Sequence, residues 1–232
     1  MSLLVCACFE NFVVVAADSR AVKIEQGRVV QIGDRYCKFW TLGDGMIALG
    51  STGSLLMNRM LSRFSYEIAE QYRDNPEGLF AALEQAIPEF VRIVNPEVIK
   101  HINATYLGET IPSSLSDCNL QKSVPVLCGY DSSQKKIRAI YWEEDLVPVN
   151  CEVGSIIAGG PQRATELVTE LISKELDEVF MPGDVAKAMK DAIDVVAENS
   201  EVIGGAIRTH VIMTPSFKQD LKRFNETCEL GI

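Results

Sequence analysis

With 232 residues, 47% of them hydrophobic, and 22 Lys and Arg against 32 Asp and Glu for a formal charge of -10, the chain has length enough for one large core. Its acidity argues against nucleic acid or an anionic membrane as partner, since both need a basic face. Mean hydropathy of +0.08 and an isoelectric point near 4.8 describe a globular protein, for which one domain over 1–232 is the economical count. Seven cysteines, odd in number and without metal-ligand spacing, read as buried thiols in a reducing compartment rather than a disulfide frame, and no cofactor or metal motif accompanies them.

The chain opens on Ser2 to Arg20, where two runs rich in Val, Phe and small apolar residues flank Glu10-Asn11. This predicts two antiparallel strands joined by a tight turn. Strict apolar/polar alternation is missing, so both strands are expected to be covered on both faces. Met1-Ser2 runs into the first strand with no basic flank, and no apolar run approaches membrane-spanning length, which together predict a cytoplasmic protein.

Ala16-Ala17-Asp18-Ser19-Arg20 ends this hairpin with a carboxylate and a guanidinium. Local pattern alone reads them as an ion pair or turn cap at a strand end. The nearby chain start offers another reading. Removal of Met1 would give Ser2 a free α-amine beside its hydroxyl, and an amine with an unperturbed pKa of about 8 is a usable base near neutrality. One residue then supplies nucleophile and base without histidine, of which the chain has two.

Residues 21–34 read as half-exposed strands joined near Gly27, and residues 35–40 as another strand with Lys38 among bulky neighbours. Lys38 is either a lysine snorkelling past aromatics or a cation aimed at the chain start. Met46 to Leu49 is a short strand ended by Gly50-Ser51-Thr52-Gly53, which suits either a helix cap or a backbone N–H placed for a developing oxyanion. Apolar spacing of three and four predicts a helix over Ser54 to Arg73 and a second one after Asn75-Pro76, kinked or broken at Pro88. Residues 95–122 look irregular. A hairpin spans Val124 to Trp142, further strands fall at Val147–Cys151 and Ser155–Ala158, and helices follow Pro161 and Pro182. A strand over Ala206 to Met213 and a short basic helix over Phe217 to Phe224 close the chain. The order implies an α+β protein, a four-layer α-β-β-α sandwich with two sheets face to face and helices outside.

Val13-Val14-Val15-Ala16-Ala17-Asp18-Ser19-Arg20, Lys38-Phe39-Trp40-Thr41-Leu42 and Gly45-Met46-Ile47-Ala48-Leu49-Gly50-Ser51 resemble the β-type subunits of the proteasome and their bacterial relatives, which are N-terminal nucleophile hydrolases. The first block runs without a gap from Ser2; a two-residue gap near Gly43-Asp44 aligns the rest. The resemblance implies the N-terminal nucleophile hydrolase fold, with Ser2 at the family's N-terminal threonine, Asp18 at its motif aspartate, Lys38 at its active-site lysine and Gly50 at its oxyanion glycine. Arg20, Ser51 and Ser200 are the supporting candidates. By the same comparison residues 95–122 are an insertion, and the assembly is a homo-oligomeric ring acting on a peptide or amide substrate, with an ATPase partner left open.

The family pattern is not kept throughout. Ala158 stands where the family has a serine, and the slots for an aspartate and a second serine fall on Ser200 and Ile203. Serine in place of threonine also frees χ1 at the nucleophile. Three readings follow: a proteasome-like peptidase or amidohydrolase, an inactive structural subunit of the same kind, and an amidase acting on a small metabolite.

Overall fold

In the computed structural model the apolar opening forms β1 (Leu4–Cys8) and β2 (Phe12–Ala17), and every residue of both strands is buried. The turn falls at Glu10-Asn11, with Cys8 opposite Val13 and the Phe9 N–H donating to the Phe12 carbonyl at 2.9 Å. Alternation across the strands explains why neither face is polar. Val5, Val14 and Ala16 join one apolar cluster, whereas Leu4, Cys6, Val13 and Val15 join another. Burying each Val or Leu side chain contributes roughly 1.5–3 kcal/mol. The structure describes residues 3–110, 112, 123–143, 145–176 and 181–229, the side chains of the last helix only as far as residue 222.

The four-layer α-β-β-α sandwich expected from element order is corrected by the strand pairing. Among the described residues eleven strands, all paired antiparallel, divide among three sheets rather than two, accompanied by five helices. A four-stranded sheet has the order β10 (Ile156–Gly159), β1, β2, β11 (Arg208–Met213). A five-stranded sheet runs β5 (Phe39–Leu42), β6 (Ile47–Ser51), β7 (Pro125–Asp131), β8 (Lys136–Trp142), β9 (Pro148–Asn150). The third sheet is the hairpin of β3 (Ala21–Glu25) and β4 (Arg28–Gly33), which pair only with each other. The physical reason is polarity. β4 is half-exposed or exposed at every position, and Val29 packs only at the margin of the core, so the strand builds no buried layer of its own.

Helices α1 (Leu55–Gln71) and α2 (Leu79–Thr105) bury Met57, Leu61, Leu83 and Ile87 with Leu49, Leu127, Ile140 and Trp142 of the five-stranded sheet. Helices α3 (Gln162–Glu175) and α4 (Pro182–Glu198) place Val168, Val185, Met189 and Ile193 with Val5 and Val14. The fifth helix, α5, spans Pro215–Glu229.

Of the kink or break expected at Pro88, no break occurs. α2 runs 27 residues through both Pro88 and Pro96, and takes up the first part of the segment read as an insertion over 95–122. Val91, Val94, Val98 and Ile102 continue the buried stripe of Leu83 and Ile87, and their burial offsets the roughly 3 kcal/mol that an interior proline costs. The core of the expected insertion, residues 113–122, lies outside the described residues.

Candidate functional site

At the end of β2 the chain leaves the sheet on a carboxylate, and the surroundings of Asp18 are built almost entirely from backbone. Asp18 is 1% exposed. Its Oδ1 accepts the Leu3 N–H at 2.8 Å, while Oδ2 accepts the N–H groups of Arg20 at 3.1 Å and Gly204 at 3.2 Å. Three amide donors replace the water that this buried carboxylate loses.

The β5 strand starts one residue after Lys38, and that offset turns the lysine inward. Its side chain is wholly buried, with Nζ 3.3 Å from Asp18 Oδ1, 3.5 Å from Oδ2 and 2.7 Å from the Arg20 carbonyl oxygen. Of the two readings open in the sequence, the snorkelling lysine is set aside. Burial pushes the Lys38 ammonium below the ordinary lysine range, and the charge and hydrogen bond of Asp18 oppose this only in part. A lysine whose pKa is lowered by burial beside a carboxylate is the kind of perturbed pair found at functional sites.

Around this pair the turn 200–205 is packed onto residues 18–20. The Gly204 carbonyl accepts the N–H of Ser19 at 3.0 Å and of Arg20 at 2.8 Å. Gly204 has φ of +148°, and a Cβ there would lie 2.7 Å from the Arg20 guanidinium carbon, so only glycine fits. Arg20 spreads its guanidinium over Asp34 (Nε to Oδ1 3.1 Å) and the carbonyls of Ser200 and Ile203. Its side chain braces the turn, while its backbone carbonyl accepts from Lys38.

The remaining candidates are arranged differently from the expectation. Gly50 sits in register between Phe39 and Val126, and a Cβ on it would lie 2.7 Å from the Lys38 carbonyl oxygen. On the β7 side Tyr130 donates to Met46 and Thr52 to Val124. Antiparallel alternation therefore makes Gly50 and Val126 a hydrogen-bonded pair and commits the Gly50 N–H to the sheet rather than to an oxyanion. Ser51 is fully buried and donates its hydroxyl to the Thr52 carbonyl at 3.0 Å. The Ser200 hydroxyl accepts the N–H groups of Val202 at 3.2 Å and Ile203 at 3.1 Å, which closes its own turn. Ala158 lies half-buried on β10, and Ile203 is 1% exposed. Ser2, like Met1, lies outside the described residues.

Asp34 and Gly204 were missed in the sequence. Gly204-Gly205 carried the only signal, as a glycine pair placed to approach another segment closely. Cys6, Cys8 and Cys128 share a buried apolar cluster, as expected of the cysteines, whereas Cys37 is exposed. Among the described residues no group of three or more His, Cys, Asp or Glu is placed to hold a metal ion, and no helix is long and apolar enough to cross a membrane. No family model matches the chain, and no curated protein matches it either, so the family resemblance rests on the residues quoted above.

Proposed function

We propose that the chain is a proteasome-like N-terminal nucleophile hydrolase, a cytoplasmic peptidase or amidohydrolase that uses Ser2 once Met1 is removed. One observation carries this reading: the buried Lys38–Asp18 pair is joined to the chain start through the Leu3 N–H, one peptide bond from Ser2. The Ser2 hydroxyl attacks the amide carbonyl carbon, and its α-amine takes the proton and returns it to the departing amine. The resulting ester is hydrolysed by water. Lys38 disfavours protonation of the amine by its charge, and Asp18 balances that charge. Gly50 has no part in this scheme, because its N–H is used by the sheet. A homo-oligomeric ring is the assembly that goes with the reading.

Intact mass of the purified protein establishes whether Met1 is lost, and an acylating electrophile selective for N-terminal hydroxyl nucleophiles tests the site. The expected result is one adduct on Ser2, absent in Ser2→Ala and slowed at least about tenfold in Lys38→Met. Retained Met1 would end the proposal, because an acylated nitrogen is no base. The commitment of the Ser200 hydroxyl to its own turn and the apolar Ile203 favour a second reading, an inactive structural subunit. Loss of Met1 with no adduct on Ser2, in a protein that still assembles into a ring, would select it.

A further inference from the structure

A groove of about 1600 Å³, lined by neither Asp18 nor Lys38, lies along β8, β9, β10 and α3. β9 and β10 are the outermost strands of the five- and four-stranded sheets. On β10 the ladder to β1 can be phased: Cys8 donates to the Ser155 carbonyl at 3.0 Å, in register with Ala7 opposite Ile156 and Val5 opposite Ala158. Alternation then turns the N–H and C=O of Ile156 and Ala158 outward to the groove, where no described strand pairs with them.

The charge of the lining is one-sided. Glu143, Asp145, Glu152, Glu166 and Glu170 border the groove and are all exposed, and no described Lys or Arg lines it. Glu170 is paired with Lys174 on the same helix and Glu166 accepts from Gln162, while at the strand ends Asp145 accepts the Val147 N–H and lies in the lining with Glu143 and Glu152. The Tyr141 hydroxyl in the same wall is raised above the ordinary tyrosine range, first by burial and then by the charge of Glu143. Val149, Ile156 and Ile157 supply the apolar part of the lining. An edge that no described strand pairs with, flanked by carboxylates and apolar side chains, matches one kind of occupant, an extended segment that alternates cationic and apolar residues.

We propose that this groove docks an extended Lys- or Arg-rich segment of a partner protein, which adds as a strand to the open edge of β10 and sets its cations against Glu143, Asp145 and Glu152. Charge complementarity selects a basic partner over a second copy of this acidic chain. The docking uses neither Ser2 nor Lys38, so it stands apart from the hydrolase reading.

The test is fluorescence polarisation of the full chain with a labelled peptide of about eight alternating Lys and Val residues, long enough to span β10. The expected result is saturable binding that falls at least about tenfold in the triple variant Glu143→Gln, Asp145→Asn, Glu152→Gln, with no binding of the matching Glu/Val peptide. A second probe keeps the charge and removes the ladder: the same Lys/Val peptide N-methylated at alternate residues is expected to lose at least about tenfold in affinity. Equal binding of the N-methylated peptide, or full displacement by spermine at matched charge concentration, would reduce the groove to a nonspecific anionic surface and overturn the proposal. Ser2→Ala is expected to bind as the parent does, and loss of binding there would also overturn it.

Discussion

The molecule contains two buried acid–base centres, and they solve the same electrostatic problem in opposite ways. At the far end of the five-stranded sheet the Asp131 side chain is wholly buried, as Asp18 is, but its cation is Arg138. This arginine reaches Asp131 Oδ2 at 3.0 Å, grips Glu84 with two bonds of 2.8 Å, and covers the Phe80 ring at 4.9 Å. Burial alone would raise Asp131, yet the hydrogen bonds of Ser133, Arg138 and Gln134 and the charge of Arg138 outweigh it and hold the carboxyl below its ordinary value. Arg138 is likewise raised, because its two carboxylates outweigh desolvation. The Arg138 cluster is thus a staple, short and bidentate, that fixes the β7–β8 hairpin to α2. In the Lys38 centre the ammonium is deeper, its carboxylate contacts are longer, and desolvation wins. A fold that needed only a clamp there would be better served by the arginine arrangement, so the lysine arrangement is the one that calls for a functional explanation.

The sharpest way to break the comparison is to remove each cation. Lys38→Met removes the cation beside the buried Asp18 side chain, and is expected to cost about 3–5 kcal/mol in urea unfolding, with loss of any Ser2 labelling. Arg138→Met is expected to cost less, about 1–3 kcal/mol, because Asp131 keeps the N–H groups of Ser133 and Gln134 and the Ser133 hydroxyl, and Glu84 lies near solvent. Equal costs would mean that both centres are simple clamps.

The pH dependence separates them next, since both shifts are downward but lie at opposite ends of the scale. Asp131 binds its proton more weakly folded than unfolded, so its contribution is present above the ordinary aspartate value and is lost as pH falls through the lowered one. Asp131→Asn should therefore flatten the acid limb of stability against pH. Lys38 also releases its proton more readily when folded. Between its lowered value and the ordinary lysine value the unfolded chain binds more protons, and stability rises with pH across that window. Lys38→Met should remove this alkaline rise in thermal denaturation, whereas Arg138→Met should leave it in place.

Much of this contrast was written in the sequence only as residue types. The opening hairpin, the turn at Glu10-Asn11 and the first helix were legible because apolar periodicity and turn chemistry are local. Lys38 was singled out, but the choice between a solvent-facing and an inward lysine depended on where β5 begins, a boundary that no local pattern fixes. The brace of Arg20 on Asp34 and the Gly204 contact with Asp18 join segments 14 and 186 residues apart, beyond the reach of spacing arguments. The length of α2 was misread for the opposite reason, since the irregular look of residues 95–105 was outweighed by a buried stripe along the whole helix. The family resemblance also supplied an oxyanion role for Gly50 that the strand register does not support.

A last, small substitution tests how the two carboxylates are held. Among the described residues Asp18 takes its hydrogen bonds from Lys38 and from backbone N–H groups, whereas Asp131 accepts a side-chain hydroxyl, Ser133 Oγ at 2.6 Å. Ser133→Ala removes that donor alone and is expected to cost about 1 kcal/mol in urea unfolding, with Asp131 titrating nearer its ordinary value by NMR. The loss should be non-additive with Arg138→Met, because both act on one carboxylate, and additive with Lys38→Met, which acts on the other. Additivity with Arg138→Met would show that Asp131 is held by its own turn, and the staple would then reduce to the Arg138–Glu84 pair.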